Sequence, residues 1–208
     1  MKVLMLNGSP HEKGCTYTAL MEVAGELEKA GIQTEIMHVG GDLVHGCMGC
    51  GACSKLGGCI YSQDKVNEAV EKMKESQGLI VGSPVHYASA GGAVTSFLDR
   101  FFYSGGAYAA HKPAAAVASA RRAGTTATLD QLNKYFMISQ MPVVSSQYWN
   151  MVHGGCPEDV KKDEEGLQIM RVLGRNMAWL LQSIEAGKAS GIAVPDMEKE
   201  KKRTNFIR

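Results

Sequence analysis

The stretch HGCMGCGACSKLGGCIYSQD, from His45 to Asp64, carries four of the chain's six cysteines. Cys47, Cys50, Cys53 and Cys59 follow the spacing C-x2-C-x2-C-x5-C. Thiols held this close together can pair as disulfides, bind zinc, or wrap an iron–sulfur cluster. Structural zinc normally draws on two separated pairs of ligands, and this run is too compact to supply them. Disulfides inside so tight a loop would be strained.

A triple C-x2-C-x2-C winding around one object is the pattern that bacterial ferredoxins use for a cubane. The ferredoxin run ends C-x3-C-P. Here the fourth thiol comes after five residues and Ile60 follows it. That spacing allows Cys59 to close the same cluster locally. Gly46, Gly49, Gly51, Gly57 and Gly58 would let the backbone curl and aim N–H groups at sulfur, which tunes a cluster's potential. Cys15 and Cys156 lie outside the run and read as non-ligands, small apolar residues of the packed chain.

The start MKVLMLNGSP has too short an apolar stretch for a secretory signal, and no segment approaches the ~20 apolar residues of a membrane span. The expected location is the cytoplasm, where thiols stay reduced, so ligand or redox roles outrank disulfides. Net charge is +1, which implies no general attraction to nucleic acid or anionic membrane. The basic tail at Lys199, Lys201, Lys202 and Arg203 reads as a solvated end.

The elements that must position this loop alternate between strand and helix. Val3–Leu6 reads as a buried strand. Leu20, Val23, Ala24 and Leu27 share one helical face, and Gly31 stops that helix. Gln33–Val39 reads as a second strand, followed by the cysteine loop at about 45–63 and a helix from about Asp64 to Glu75. GLIVGSP, Gly78–Pro84, is a third strand ending in a Gly/Pro turn, and Gly92–Tyr103 a helix. Ala114–Ser119 is a fourth strand, Thr125–Ser139 a helix, and Pro142–Ser145 the beginning of a fifth strand. Asp163–Ala186 is the last helix, with Leu167, Met170, Leu173, Met177, Leu180 and Ile184 as its apolar stripe. With no repeat and no break in composition, residues 1–208 read as one α/β domain. Its sheet is a doubly wound, five-stranded parallel one in the order 2-1-3-4-5, covered by helices on both faces. Ligands in such sheets sit beyond the carboxyl ends of the strands.

That rule selects three loops. LNGSPHEKGCTYTAL, Leu6–Leu20, leaves the first strand and opens a helix. Gly8 and Gly14 let it bend, Ser9, Thr16 and Thr18 supply hydroxyls, and the helix start supplies N–H groups for an anion. A nucleotide P-loop would need lysine where Cys15 stands, and G-x-G-x-x-G is absent, so a bound phosphate is expected without ATP or a permanently held NAD. The other reading of Ser9 and Thr16 is that they cap the turn and the helix.

The stretch resembles the GSPR-x-x-GNT phosphate loop of the flavodoxin-like NAD(P)H-dependent FMN reductases. Two positions depart from it: His11 where arginine is usual, and Cys15 where asparagine or serine is usual. The resemblance implies FMN phosphate held by Ser9, His11, Cys15 through its backbone N–H, and Thr16. GSPVHYASAGGAVTSFLDRFF, Gly82–Phe102, is similar to the family's second flavin loop, in which Pro84, Val85, His86, Tyr87, Ala88 and Ser89 would wrap the isoalloxazine edge. Fixed N–H donors there would stabilise a reduced flavin's charge, and Tyr87 would lie on the ring or be half buried in a plain turn. SARRAGTTATLDQL, Ser119–Leu132, is similar to the third loop and implies roles for Ser119, Arg121 and Gly124, with Arg121 and Arg122 either surface charges or partners for a phosphate. Trp149 and His153 would approach the flavin from a neighbouring subunit, or else be a core tryptophan and a satisfied histidine.

With its compact cysteine motif the chain resembles the iron–sulfur flavoproteins of archaea and anaerobes. That resemblance implies a [4Fe–4S] cluster on Cys47, Cys50, Cys53 and Cys59 close to FMN. The expected activity is FMN-dependent electron transfer between the cluster and a small-molecule acceptor or a ferredoxin-like partner, with NAD(P)H as a transient donor. No side-chain acid or base is required, so no catalytic residue is named. Two other readings stand beside it: an NAD(P)H-dependent FMN or quinone reductase with an empty cysteine loop, and a non-enzymatic redox or metal sensor. The resemblance also implies a homodimer or homotetramer, for which Phe101, Phe102 and Tyr103 are the apolar contact candidates.

Overall fold

The computed structural model describes residues 1–196 together with Lys202, Thr204 and Phe206. Of the basic tail, Lys199, Lys201 and Arg203 lie outside the described residues. The elements follow in the order β1 (Lys2–Asn7), α1 (Cys15–Lys29), β2 (Gln33–His38), α2 (Cys53–Leu56), α3 (Val66–Glu75), β3 (Gly78–His86), β4 (Ser89–Ala90), α4 (Gly92–Gly105), β5 (Ala114–Ala120), α5 (Thr125–Ile138), β6 (Met151–His153), α6 (Pro157–Val160) and α7 (Glu164–Ala189). The main sheet runs β2-β1-β3-β5-β6 and its pairings are parallel, the order expected from the strand–helix alternation. β4 is the exception, pairing antiparallel with the end of β3.

The central strands are apolar on both faces because helices cover both. Val3 and Met5 of β1 enter one core with Ala19, Leu20 and Val23 of α1 and Leu173 and Met177 of α7. Leu4 and Leu6 enter the other, with Val70 of α3, Phe97 and Phe101 of α4 and Leu132 of α5. A continuous apolar run such as KVLMLN is what a doubly covered parallel strand needs. Phe97 and Phe101 are fully buried. Each contributes on the order of 2–3 kcal/mol, which seats α4 firmly even though Arg100 is buried beside them.

Several boundaries differ from the sequence expectation. The fifth strand does not run on from Pro142–Ser145. That segment makes one bridge, Val143 with Ala114, in which Ala114 N donates to Pro142 O and Val144 N to Ala114 O. Proline has no N–H with which to extend the ladder. The chain then leaves the sheet and returns as β6 beside Ala118–Ala120. α3 starts at Val66 instead of Asp64, because Asp64 Oδ1 accepts the Val66 N–H from outside the helix. Asp163 likewise caps α7, its side chain accepting from Gly166 N. In α7, Leu181 is buried where the periodic reading favoured Leu180 and Ile184, both only half buried. Of the three aromatic contact candidates, Phe101 is a core residue and Phe102 is half buried; Tyr103 is exposed.

Candidate functional site

β1, β3 and β5 lie side by side, with Asn7 opposite Gly82 and Pro84 opposite Ser119. Their carboxyl ends therefore send three loops from one edge of the sheet. The first loop is folded by its own side chains. Ser9 N donates to Asn7 Oδ1 (3.1 Å), His11 N to Ser9 Oγ (3.1 Å), and Asn7 Nδ2 to Glu12 O (2.8 Å). It delivers the chain into α1 at Gly14, whose backbone is extended and which no side chain caps. The first turn of α1 carries no acidic residue. The leading N–H groups of a 15-residue helix and its positive dipole end thus stand open to an anion. Under the loop, Thr16 Oγ1 and Ser119 Oγ share a buried hydrogen bond of 2.8 Å, which joins the first loop to the third.

The two family departures land differently. His11 is exposed on the loop. The Cys15 thiol turns away and donates to Gly154 O (3.7 Å), so only its backbone N–H faces the helix start. Burial pushes that thiol's pKa up. Cys156 is exposed and does not pack as a small apolar residue.

The end of β2 buttresses the same loop, and no motif announced it. Val39 N and Gly40 N donate to Asn7 O (2.9 and 3.1 Å), and His38 Nε2 donates to Ser9 O (2.8 Å). A Cβ on Gly40 would stand 2.2 Å from Gly8 O and 2.5 Å from Ser9 O. Gly40→Ala is therefore expected to displace the loop backbone and weaken anion binding about 10-fold or more, near 1.4 kcal/mol. Flavin-phosphate or inorganic-phosphate binding by calorimetry checks this; unchanged affinity would detach Gly40 from the loop's geometry.

The second loop differs from the expected Gly/Pro turn. β3 continues to His86, turns at Tyr87–Ala88 and pairs back through β4. Tyr87 and Ala88 both have positive φ, 50° and 59°. Hairpin turns of this hand require it, and side chains other than glycine, asparagine or aspartate adopt it at a cost of roughly 1–3 kcal/mol each. The strain is held from α5. Ser89 Oγ and Ala90 N both donate to Gln131 Oε1, at 2.5 and 3.2 Å. Ser83 Oγ accepts from Gly91 N at 3.0 Å. Val85 is half buried, while His86, Tyr87 and Ala88 face solvent. Tyr87 is fully exposed, where the plain-turn reading had it half buried.

The third loop closes on the second. Gly124 has φ of 100°, and a Cβ there would stand 2.6 Å from Ala88 Cα and 2.7 Å from Val85 Cγ1. Arg121 and Arg122 are exposed and make no ion pair among the described residues. Trp149, read as either a subunit-crossing or a core residue, is 56% exposed and stacks edge-on with Tyr148, so the core reading fails. His153 is exposed, and its backbone N donates to Asp163 Oδ2 (2.6 Å).

The cysteine loop leaves the carboxyl end of β2. Cys47, Cys50, Cys53 and Cys59 all line one cavity of about 150 Å³, together with Tyr61, Arg100 and Tyr103. Gly49, Gly51 and Gly57 have positive φ, the curl expected of the run. All six cysteines are free thiols. Among the described residues no three His, Cys, Asp or Glu side chains converge closely enough to hold a metal ion. Donor chemistry and a shared cavity fit an iron–sulfur cluster; the thiol positions are not drawn onto a common centre.

Sequence reading missed what ties this loop down. Arg100, 1% exposed within α4, pairs with Asp64, 8% exposed. Its Nε donates to Cys59 Sγ (3.1 Å), Nη1 to His45 O (3.3 Å), and Nη2 to Tyr61 O (2.7 Å). Burial opposes its charge, but the bonds to Asp64 and Cys59 outweigh this and push its pKa up. The available signal was an arginine inside FLDRFF, on the face that also carries Phe97 and Phe101.

The family model described as NADPH-dependent FMN reductase matches residues 1–155. An iron–sulfur flavoprotein of Methanocaldococcus jannaschii is 31% identical over 193 residues, covering 89% of this chain and 100% of that protein. Among solved structures, RosB with a bound demethyl-formylriboflavin-phosphate intermediate superposes with a TM-score of 0.70 at 14% identity, over 100% of this chain and 93% of that one. A flavodoxin from the domain Archaea gives 0.60 at 14% identity, over 88% of this chain and 99% of that one. At that identity these two establish a flavodoxin-like fold.

Proposed function

We propose, from the premise that the chain belongs to the NADPH-dependent FMN reductase family, that it is an electron-transfer oxidoreductase pairing FMN with a [4Fe–4S] cluster. Membership makes it a flavin-dependent oxidoreductase. The observation that carries the finer reading is that four thiols line a single cavity in a loop leaving the sheet edge from which the three other loops also leave. The likeness to a named iron–sulfur flavoprotein over its whole length supports it. When bound, FMN takes two electrons from a hydride donor and releases them singly, and an iron–sulfur cluster passes one at a time.

The chain's own residues do the holding. The open N–H groups of Cys15 and Thr16, with Ser9 and His11 beside them, bind the phosphate. His11 adds a side-chain donor, a weaker phosphate partner than an arginine's five-donor fork would be. The backbone from Pro84 to Ser89, fixed by Gln131 and Gly124, presents Val85, His86, Tyr87 and Ala88 to the flavin edge. Ser119 locks this wall to the phosphate loop through Thr16. Arg121 and Arg122 offer free guanidinium groups to a phosphate of FMN or of NAD(P)H. Cys47, Cys50, Cys53 and Cys59 would hold the cluster. Electrons pass to a small-molecule acceptor or a ferredoxin-like protein, from a homodimer or homotetramer, in the cytoplasm. Residues 1–208 act as one domain, and among the described residues no helix is long and apolar enough to cross a membrane.

One observation favours a second reading, a reductase whose cysteine loop stays empty: the thiols do not converge on a common point among the described residues. Protein purified without oxygen decides between them. About four irons and one FMN per chain, with an EPR signal on reduction, supports the cluster. FMN without iron, together with fast NADPH oxidation on added flavin or quinone, leaves the reductase.

A further inference from the structure

We propose that Arg100 is a positioning residue for the iron–sulfur cluster, fixing Cys59 as its fourth ligand and raising the cluster's reduction potential. This rests on the cluster reading above. The guanidinium has five N–H groups, and the structure accounts for each of them. Nε donates to Cys59 Sγ at 3.1 Å, Nη1 to Asp64 Oδ2 and to His45 O, and Nη2 to Asp64 Oδ1 and to Tyr61 O. Tyr61 and His45, at opposite ends of the loop in sequence, stack with ring centroids 4.5 Å apart. One side chain on a rigid helix thus grips the entry of the loop at His45, its exit at Tyr61 and Asp64, and one of its sulfurs.

Such a grip has two consequences. The loop is held before any metal arrives, because none of these bonds involves a metal. Asp64 offsets most of the guanidinium's charge, but an N–H donor aimed at a ligand sulfur favours the more negative, reduced form of a cluster, which moves its potential upward. Lysine cannot substitute fully. It carries the charge on a single point and cannot reach the sulfur, both Asp64 oxygens and two carbonyls together.

The test compares wild type, Arg100→Lys, and the paired variant Arg100→Gln/Asp64→Asn, all prepared without oxygen. The pair removes both charges at once and leaves neither buried alone. FMN bound per chain reports folding, iron per chain reports ligation, and an EPR-monitored redox titration reports the potential. Tryptic cleavage after exposed Lys55 in iron-free protein reports the loop. The expected result is equal FMN content, a potential lowest in the paired variant and intermediate in Arg100→Lys, and cleavage accelerated about 10-fold or more in the paired variant, as for any opening eased by ~1.4 kcal/mol. A variant that keeps FMN but loses its iron also supports the assignment. Four irons and an unchanged potential in both variants overturn it, whatever the cleavage rate. Wild-type protein that binds FMN but no iron overturns the cluster reading itself, and the Arg100 assignment falls with it.

Discussion

Gly124→Ala is expected to lower FMN affinity about 100-fold, roughly 2.7 kcal/mol. Two penalties combine. The residue sits at φ of 100°, where any Cβ is strained. The new methyl would also stand 2.6 Å from Ala88 Cα, and a backbone atom cannot yield as a side-chain tip can. Ala88 and its neighbour Tyr87 are both non-glycine residues held at positive φ in the hairpin turn, so the hairpin has little freedom to retreat. Either the second loop moves, and the proposed flavin wall with it, or α5 starts late and Gln131 releases Ser89 and Ala90. Both routes spoil the same surface. The variant should still fold, since α5 remains anchored by Leu132 and Phe136. Fluorescence titration with FMN, alongside thermal unfolding of the apoprotein, separates lost binding from lost structure. An affinity within 3-fold of wild type would mean that the second and third loops do not form the flavin wall.

The second large effect falls on the proposed cluster. Cys50→Ser/Cys53→Ser is expected to purify with one FMN and no iron, a loss of about four irons per chain. Cys50 is exposed and Cys53 only half buried, so serine at these sites should change stability by no more than about 0.5 kcal/mol. Cys59 is avoided here, because its removal would strip the buried Arg100 of a partner and confuse ligation with folding. Iron by colorimetric assay and FMN by absorbance decide the matter. Iron retained at the wild-type level would place the cluster, or the bound iron, elsewhere in the chain. Steady-state NADPH oxidation by the same variant shows whether the flavin works alone.

The layout of the sheet was readable from apolar runs spaced by helical patterns, because a doubly covered strand can hardly be anything but apolar. Lys2–Asn7, Gln33–His38 and Ala114–Ala120 fall within a residue or two of where periodicity puts them. The fifth strand was not readable, since its two halves are separated by an excursion held by bonds to distant residues, such as Ser146 Oγ to Ile169 O in α7, that no local pattern announces. Short elements such as β4 and α6 carry too few residues to show a period. At the candidate site, the loops beyond the strand tips were foreseeable from topology. Gly40, Gln131 and Arg100 were not, because each acts by touching a residue 30 or more positions away in the chain: Gly8, Ser89 and Cys59. Asn7 offered a local signal, a polar residue closing an apolar strand just before a glycine, and it proves to fold the first loop.

Every role proposed above depends on the amides at the strand tips forming a ready-made cradle for a flavin nucleotide. Titrating metal-free, flavin-free protein with FMN while following the quenching of flavin fluorescence tests it most directly. Such a cradle is expected to saturate at one FMN per chain, with riboflavin, which lacks the phosphate, binding at least about 10-fold more weakly. A titration in which FMN fluorescence never departs from that of free flavin would contradict it.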